Sequence, residues 1–254
     1  MFNLKKIIYT FIKSLSIFNI IRYFSLKHAL FLFPKIISSQ YFMYNNNYNA
    51  IRLKKKLYFD QKYTFSSDWF SKNILVWEKF LLKKKGISYL EIGSFEGRSA
   101  VFILELGIAD KIICVDAFLE PRAIQNINKE RKSLDYAQGF INLKNNIHKG
   151  TASNNCIAKI IKETSDDFFL LNTETFDLIY IDGSHYYEDV KKDFKNSLKI
   201  LNKGGILICD DFLWDYYSNS RENPMLAILE CYKDYKSYLT VRFVNYQIIF
   251  EKIK

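Results

Sequence analysis

The sequence predicts an α/β protein: a largely parallel sheet covered by helices on both faces, preceded by a helical extension. Two observations carry this. From Ile87 onward, short apolar runs alternate with stretches of helical period, the pattern of strands linked by crossover helices. The chain then ends in two closely spaced runs, "YLTVRFV" and "YQIIFEKI", which fit an antiparallel hairpin at a sheet edge. A length of 254 residues accommodates one full core plus an appendage, and 49% apolar with 25% charged residues excludes general disorder.

The N-terminal stretch "LKKIIYTFIKSLSIFNIIRYFSLKHALFLF" is apolar, but Lys13, Arg22 and Lys27 interrupt it. No charge-free run approaches the roughly 20 residues a bilayer span needs, and no small-residue cleavage site marks a secretory signal. On a helical wheel Ile8, Phe11, Leu15 and Phe18 share one side and Lys6 and Lys13 fall opposite, while Arg22 lands on the apolar stripe and should bend or stop the helix. Two readings stay open: a helix packed on the main domain or a second subunit, or residues 1–33 lying on anionic lipid. Residues 44–58, "YNNNYNAIRLKKKLY", read as a basic connecting segment, which puts the domain boundary at 60/61.

Helical period begins near Ser67, with Trp69, Phe70, Ile74, Trp77, Phe80 and Leu81 on one face and Gly86 as a stop. "ISYLEIG" is the first expected strand, "RSAVFILELG" a helix and "KIICVDA" the second strand. Residues 121–171 should hold two helices and one strand, the strand near "NNIHKG". "FDLIYID" is a strand, followed by a helix from Glu188 to about Leu201. After a Lys203-Gly204-Gly205 turn, "GGILICDD" is the next strand. In "NPMLAILECYKDY", Asn223 caps a helix with Pro224 at its first position.

Composition narrows function less. A net charge of +10 suits nucleic acid, anionic lipid or acidic glycans and does not choose among them. The four cysteines have no C-x-x-C spacing, and Cys114 and Cys209 sit inside apolar runs, so a reducing cytoplasmic compartment is expected. The three histidines form no local zinc motif with them.

The chemistry concentrates at strand ends. "YLEIGSFEGRSA" places Gly93 and Gly97 at a strand-to-helix turn, where backbone should approach a ligand closely. The spacing G-x-x-x-G is neither the dinucleotide fingerprint nor the phosphate loop, and no lysine follows. Glu91 would repel phosphates but suits an ammonium. Asp116 closes the second strand, where a carboxylate accepts both ribose hydroxyls. A ribose and an amino acid without phosphates describe S-adenosylmethionine.

From about Phe65 to the C-terminus the chain resembles class I S-adenosylmethionine-dependent methyltransferases. "LEIGSFEGRSA" resembles the first motif of the catechol O-methyltransferase-like branch, in which the residue matching Ser99 holds the methionine carboxylate. "IDGSHYYEDV" with "GGILICDD" resembles the metal-dependent O-methyltransferases of macrolide sugars, the macrocin-type group. The resemblance implies a Rossmann-like, doubly wound seven-stranded sheet of order 3-2-1-4-5-7-6 with strand 7 antiparallel. It implies a cofactor site of Glu91, Gly93, Ser94, Gly97, Ser99, Asp116, Ala117 and Asp182.

In that strand order Asp182, Asp210 and Asp211 meet at one sheet edge. Three unpaired carboxylates would raise one another's pKa, and Mg²⁺ or another divalent cation relieves this. Otherwise Asp182 and Asp210 are cofactor-side polar residues and Asp211 a helix cap. The resemblance implies that His185 stands where catechol-type enzymes carry a lysine base and the macrolide-sugar group a histidine, and an imidazole accepts protons near neutral pH without tuning; otherwise it caps the next helix or pairs with Glu188. Trp214, Tyr216 and Tyr217 would stack on a sugar or cover the core, and Tyr63, Phe65 and Trp69 would close over the cofactor. The implied reaction is O-methylation of a sugar or other small diol. "IDGSH" lacks the Asn/Asp-Pro-Pro-aromatic segment of base methylation, so no nucleic-acid partner is expected. The expected partners are a small-molecule or glycan acceptor, a peripheral membrane through residues 1–33, and a second copy in a homo-oligomer. A non-catalytic partner of a glycan assembly complex is the alternative from another class.

Overall fold

The computed structural model describes residues 26–43, 48–119, 134–152, 154–214 and 223–254. Two helices open the described chain: α1 (Leu26–Met43) and α2 (Tyr48–Lys62). The second corrects the expected connecting segment, and the 60/61 boundary falls inside it. Its lysines, leucines and arginine are good helix formers. Only Tyr48 and Phe59 are buried, too sparse a face to show as an apolar stripe. Lys55 reaches Glu78 at 2.6 Å and Lys62 reaches Glu105 at 2.5 Å, tying α2 to the domain.

A 3₁₀ turn (Ser71–Asn73) leads into α3 (Ile74–Leu81), so the helix expected from Ser67 starts later. Strand and helix then alternate: β1 (Ile87–Ile92), α4 (Arg98–Leu106), β2 (Ala109–Val115), α5 (Tyr136–Thr151), β3 (Ile157–Ile161), α6 (Ser165–Leu171), β4 (Phe176–Ile181), α7 (Tyr187–Ile200), β5 (Leu201–Cys209), α8 (Pro224–Tyr235), β6 (Leu239–Val244) and β7 (Ile248–Lys252). The sheet order is β3-β2-β1-β4-β5-β7-β6, with β7 antiparallel to both β5 and β6. This is the expected order and the expected terminal hairpin.

The strand expected at "NNIHKG" is instead the last part of α5, and the strand lies later, at Ile157–Ile161. Asp135 caps α5 by accepting from the Gln138 amide, and the helix buries Gly139, Asn142, Leu143, Asn146, Ile147 and Gly150. That face has helical spacing but is mostly glycine and asparagine, so hydrophobicity does not reveal it. The Lys203-Gly204-Gly205 turn is likewise absorbed: β5 begins at Leu201, and its pairing with β4 shifts register between Leu201 and Ile206.

Alternation along the strands divides the core. Leu90, Ile92, Ile179 and Ile181 pack with Val190 and Phe194 of α7 and Ile228 of α8. Tyr89, Leu178 and Tyr180 pack with Trp77 of α3, Val101 of α4 and Leu143 of α5. Leu32 and Ile36 place α1 on the first of these cores, and Ser39 Oγ accepts from the Val244 amide at 3.2 Å.

The parallel ladder itself positions the site. The amide just past each strand bonds the last carbonyl of its neighbour: Gly93 to Val115, Asp116 to Ile161, Asp182 to Ile92 and Asp210 to Ile181, at 2.8–3.1 Å. Four chemically important residues are thereby set level along one carboxyl edge of the sheet, where ligands of open α/β sheets bind.

Candidate active site

The glycine loop joins β1 to α4 at this edge. Gly93 has φ +86°, and a Cβ there would stand 2.1 Å from the Asp182 carbonyl oxygen. Gly97 has φ +74°, and its Cβ would stand 2.5 Å from Leu143 Cδ1. Both glycines are required for close packing, Gly93 on the backbone just past β4 and Gly97 on Leu143 of α5. Phe95 between them is also left-handed, at φ 42°.

Glu91 is buried at the floor of the loop. The Ser99 hydroxyl donates to its Oε1, so the serine expected at the methionine carboxylate faces Glu91 here. Oε2 of Glu91 and Oγ of Ser94 are buried without hydrogen-bond partners. Burial pushes the Glu91 carboxyl up to about 8, against the Ser99 hydrogen bond and the Tyr89 hydroxyl. The Tyr89 oxygen is itself without a partner in hydrogen-bonding geometry. Orphaned acceptors and hydroxyls here fit a ligand that brings an ammonium and donors of its own, as an amino-acid moiety does.

Asp116 accepts from the Phe95 amide through Oδ2 at 2.8 Å and from the Phe118 amide through Oδ1 at 2.7 Å. It thus braces two left-handed phenylalanines, since Phe118 has φ 52°. Burial raises its pKa despite these amides. Each carboxylate oxygen retains a second lone-pair direction, so ribose hydroxyls can still be accepted. Ala117 follows, half-buried.

The carboxylates lie on the next two strands. The Tyr180 hydroxyl is shared between Asp182 Oδ2, at 2.8 Å, and Asp210 Oδ2. Gln247 Nε2 donates to Asp210 Oδ2 at 2.8 Å, and its Oε1 accepts from Trp77 Nε1 at 2.8 Å. Burial, then the charges of Asp210 and Asp211, hold Asp182 well above the usual carboxylate range. Asp210 is raised by burial and by Asp211. Asp211, left-handed at φ 54°, behaves oppositely. Burial acts to raise it, but His185, Tyr246 and Lys72 together bring it below the usual value.

His185 Nε2 is 2.5 Å from Asp211 Oδ2, and the imidazole lies 4.9 Å from the Trp214 ring at 33°. The entry to α7 is fixed by Ser184, whose Oγ accepts from the Tyr186 amide at 3.1 Å and donates to Asp189 at 2.8 Å. Among the described residues, no group of three or more His, Cys, Asp or Glu side chains is arranged to hold a metal ion. The donor set fits a hard cation in part. Two carboxylates converge on one phenolic proton, while the third faces His185.

Tyr180, Gln247, Tyr246 and Lys72 are site residues that the sequence reading missed. Tyr180 had a signal: it stands two before Asp182, on the same strand face. Gln247 lies in the turn just before β7 and is 1% exposed. Lys72, 3.6 Å from the Tyr246 ring centroid, had none. Of the aromatics expected over the cofactor, Tyr63 packs with Phe59 and donates to Glu105, and Phe65 lies under Arg98. Trp69 meets the glycine loop, 5.4 Å from the Phe95 ring. Tyr216 and Tyr217 lie outside the described residues.

Residues 90–212 match the family model of a methyltransferase domain. An uncharacterized protein, R132, of Acanthamoeba polyphaga mimivirus is 30% identical over 135 residues, 51% of this chain and 53% of the relative. This chain thus matches about half the length of that relative. Among solved structures, the O-methyltransferase TomG from Streptomyces achromogenes, in complex with S-adenosylmethionine, superposes with a TM-score of 0.54 at 10% identity, covering 87% of this chain and 98% of that one. An O-methyltransferase from Bacillus cereus, in complex with S-adenosylhomocysteine, gives 0.51 at 14% identity over 88% of this chain and 100% of that one. At these identities the likeness is one of fold. The matched stretch, residues 90–212, is what this chain shares with a methyltransferase domain.

Proposed function

We propose that this protein transfers a methyl group from S-adenosylmethionine to a hydroxyl of a sugar or other small diol, with the help of a divalent cation such as Mg²⁺. The observation that carries the reading is the Asp182–Asp210 pair on one phenolic proton beside the Asp211–His185 contact, level with the glycine loop. When bound, S-adenosylmethionine supplies a methyl on a sulfonium, open to in-line attack by oxygen. On this chain, Glu91 and Ser94 would take its amino-acid end, Ser99 the carboxylate side and Asp116 the ribose. Asp182 and Asp210 would hold the cation with hard oxygen donors, where it would neutralise the pair and acidify an acceptor hydroxyl.

His185 then has a defined task. With Nε2 turned to Asp211, the imidazole takes the acceptor proton at Nδ1, and Asp211 stabilises the imidazolium that results. Trp214 fixes the ring plane. Most of the rate comes from orientation, since both reacting partners are held at one sheet edge. A labelled-methyl assay against sugars with and without vicinal hydroxyls, run with and without EDTA, tests this. Activity on diols that EDTA abolishes supports the reading, and full activity in EDTA removes its cation.

The acceptor we infer is a small molecule or glycan, not nucleic acid, and we keep the peripheral membrane contact through residues 1–33 as a proposal. Residues 1–25 lie outside the described residues, α1 begins within the stretch, and no described helix is long and apolar enough to cross a membrane. Flotation with anionic liposomes that reverses at high salt is expected; sedimentation of the protein away from the vesicles at low salt would refute it.

A further inference from the structure

We infer that Glu96 is a positioning residue for the cofactor, clamping the segment between α2 and α3 onto the glycine loop. The inference rests on the cofactor reading of that loop. Glu96 is 3% exposed and is held from two directions. Its Oε2 accepts from the Ser66 amide at 2.7 Å, and its Oε1 accepts from Asn142 Nδ2 at 2.8 Å. Its own carbonyl accepts from Asn146 Nδ2 at 2.9 Å. Asn146 in turn grips the same incoming segment, accepting from the Thr64 amide at 3.0 Å and donating to the Thr64 carbonyl at 2.8 Å. Asn142 and Asn146 are one helical turn apart on α5, so both face the loop.

The incoming segment and α5 therefore both grip one loop residue, and that residue sits between two left-handed loop positions. On one side is Phe95, left-handed at φ 42°, whose amide points at Asp116 and whose ring lies between Trp69 and Tyr136. On the other is Gly97, the cap of α4 at φ +74°. A left-handed phenylalanine persists only where its surroundings over-determine it. Glu96 adds to the brace that Asp116 gives Phe95, and with it sets the line of Asp116 and Ser94 toward the ligand. A buried carboxylate with amide donors on both oxygens is also a demanding choice: only an acceptor-only group answers both the Ser66 amide and the Asn142 amide.

The test uses that hydrogen-bond polarity. Glu96→Gln is nearly isosteric but sets an amide donor against a donor. Adding Asn142→Asp restores the match. The side-chain oxygen at position 96 then accepts from Ser66, and the side-chain amide there donates to the carboxylate introduced at position 142. That carboxylate still accepts from Gln138, as Asn142 does at 2.9 Å. Calorimetry with S-adenosylhomocysteine should show Kd raised about tenfold or more in each single variant, the loss of one charge-assisted hydrogen bond. The double variant should return to within about threefold of wild type. Single variants with a lowered Tm but unchanged Kd, or a double variant without recovery, overturn the proposal. Wild type that binds no S-adenosylhomocysteine overturns the cofactor reading itself, and this inference falls with it.

Discussion

The two halves of the cleft are built on opposite plans. In the glycine-loop half, buried polar atoms are left without partners: Glu91 Oε2 and Ser94 Oγ. In the carboxylate half they are cross-bonded, Asp182 to Tyr180, Asp210 to Tyr180 and Gln247, and Asp211 to His185. A ligand can therefore enter the first half by making hydrogen bonds, whereas anything held in the second must displace existing ones. The cofactor half should bind in its resting arrangement, and the acceptor half should respond to its charge state.

The largest effect should come from the second half. Asp210→Ala removes one of the two carboxylates that share the Tyr180 hydroxyl, the carboxylate that accepts from Gln247, and half of the proposed cation pair. A loss of ~10³-fold or more in turnover is expected, the several kcal/mol of a lost metal contribution. Near-normal S-adenosylhomocysteine affinity should accompany it. A variant that lost cofactor binding in parallel would show that the halves are not separable.

His185→Ala should lower turnover by the ~10²–10⁴-fold of a general base, with partial recovery as pH rises, because hydroxide replaces a base but not a cation. An unchanged rate would leave His185 only its contacts with Asp211 and Trp214. The pH profiles of the Asp210 and His185 variants should differ even where both are slow.

In the cofactor half the effects should be smaller. Asp116→Ala leaves the Phe95 and Phe118 amides without that acceptor and removes the proposed ribose partner. Affinity for S-adenosylhomocysteine should fall roughly tenfold to a hundredfold, measured by calorimetry. Unchanged affinity would remove Asp116 from the site.

The contrast also explains what was legible in the sequence. Strand order, terminal hairpin and glycine loop could be read because their signals are local: apolar runs, turn residues and short spacings. Asp182, His185, Asp210 and Asp211 could be nominated because they follow strands directly. Their partners could not. Gln247 reaches Asp210 from a hairpin turn near the C-terminus, and Lys72 enters from a 3₁₀ turn whose carbonyl accepts from the Tyr48 hydroxyl at 2.6 Å. Such contacts exist only after β7 has paired with β5 and α2 has docked. The misplaced strand has a different cause: α5 packs through glycines and asparagines, residues whose burial no hydropathy pattern signals.

A separate effect concerns stability. Glu91 ionises near its ordinary value, about 4.5, when unfolded, but only at about 8 when folded. Across that interval the folded state binds more protons, so stability is full below about 4.5 and falls as pH rises toward 8. Glu91→Gln should flatten this decline, on the order of a few kcal/mol, in urea unfolding followed at several pH values. An equally steep decline in the variant would place its cause elsewhere.

The same group offers the most direct test of how the cofactor half binds. A neutral Glu91 facing an incoming ammonium should ionise, so S-adenosylhomocysteine binding at about pH 7 should release close to one proton. Calorimetry in two buffers of different ionisation enthalpy reads that proton as a difference in apparent binding heat. Tight binding with proton release is expected in wild type, and binding without release in Glu91→Gln. Binding with no proton exchanged in wild type, or no binding at all, would contradict it.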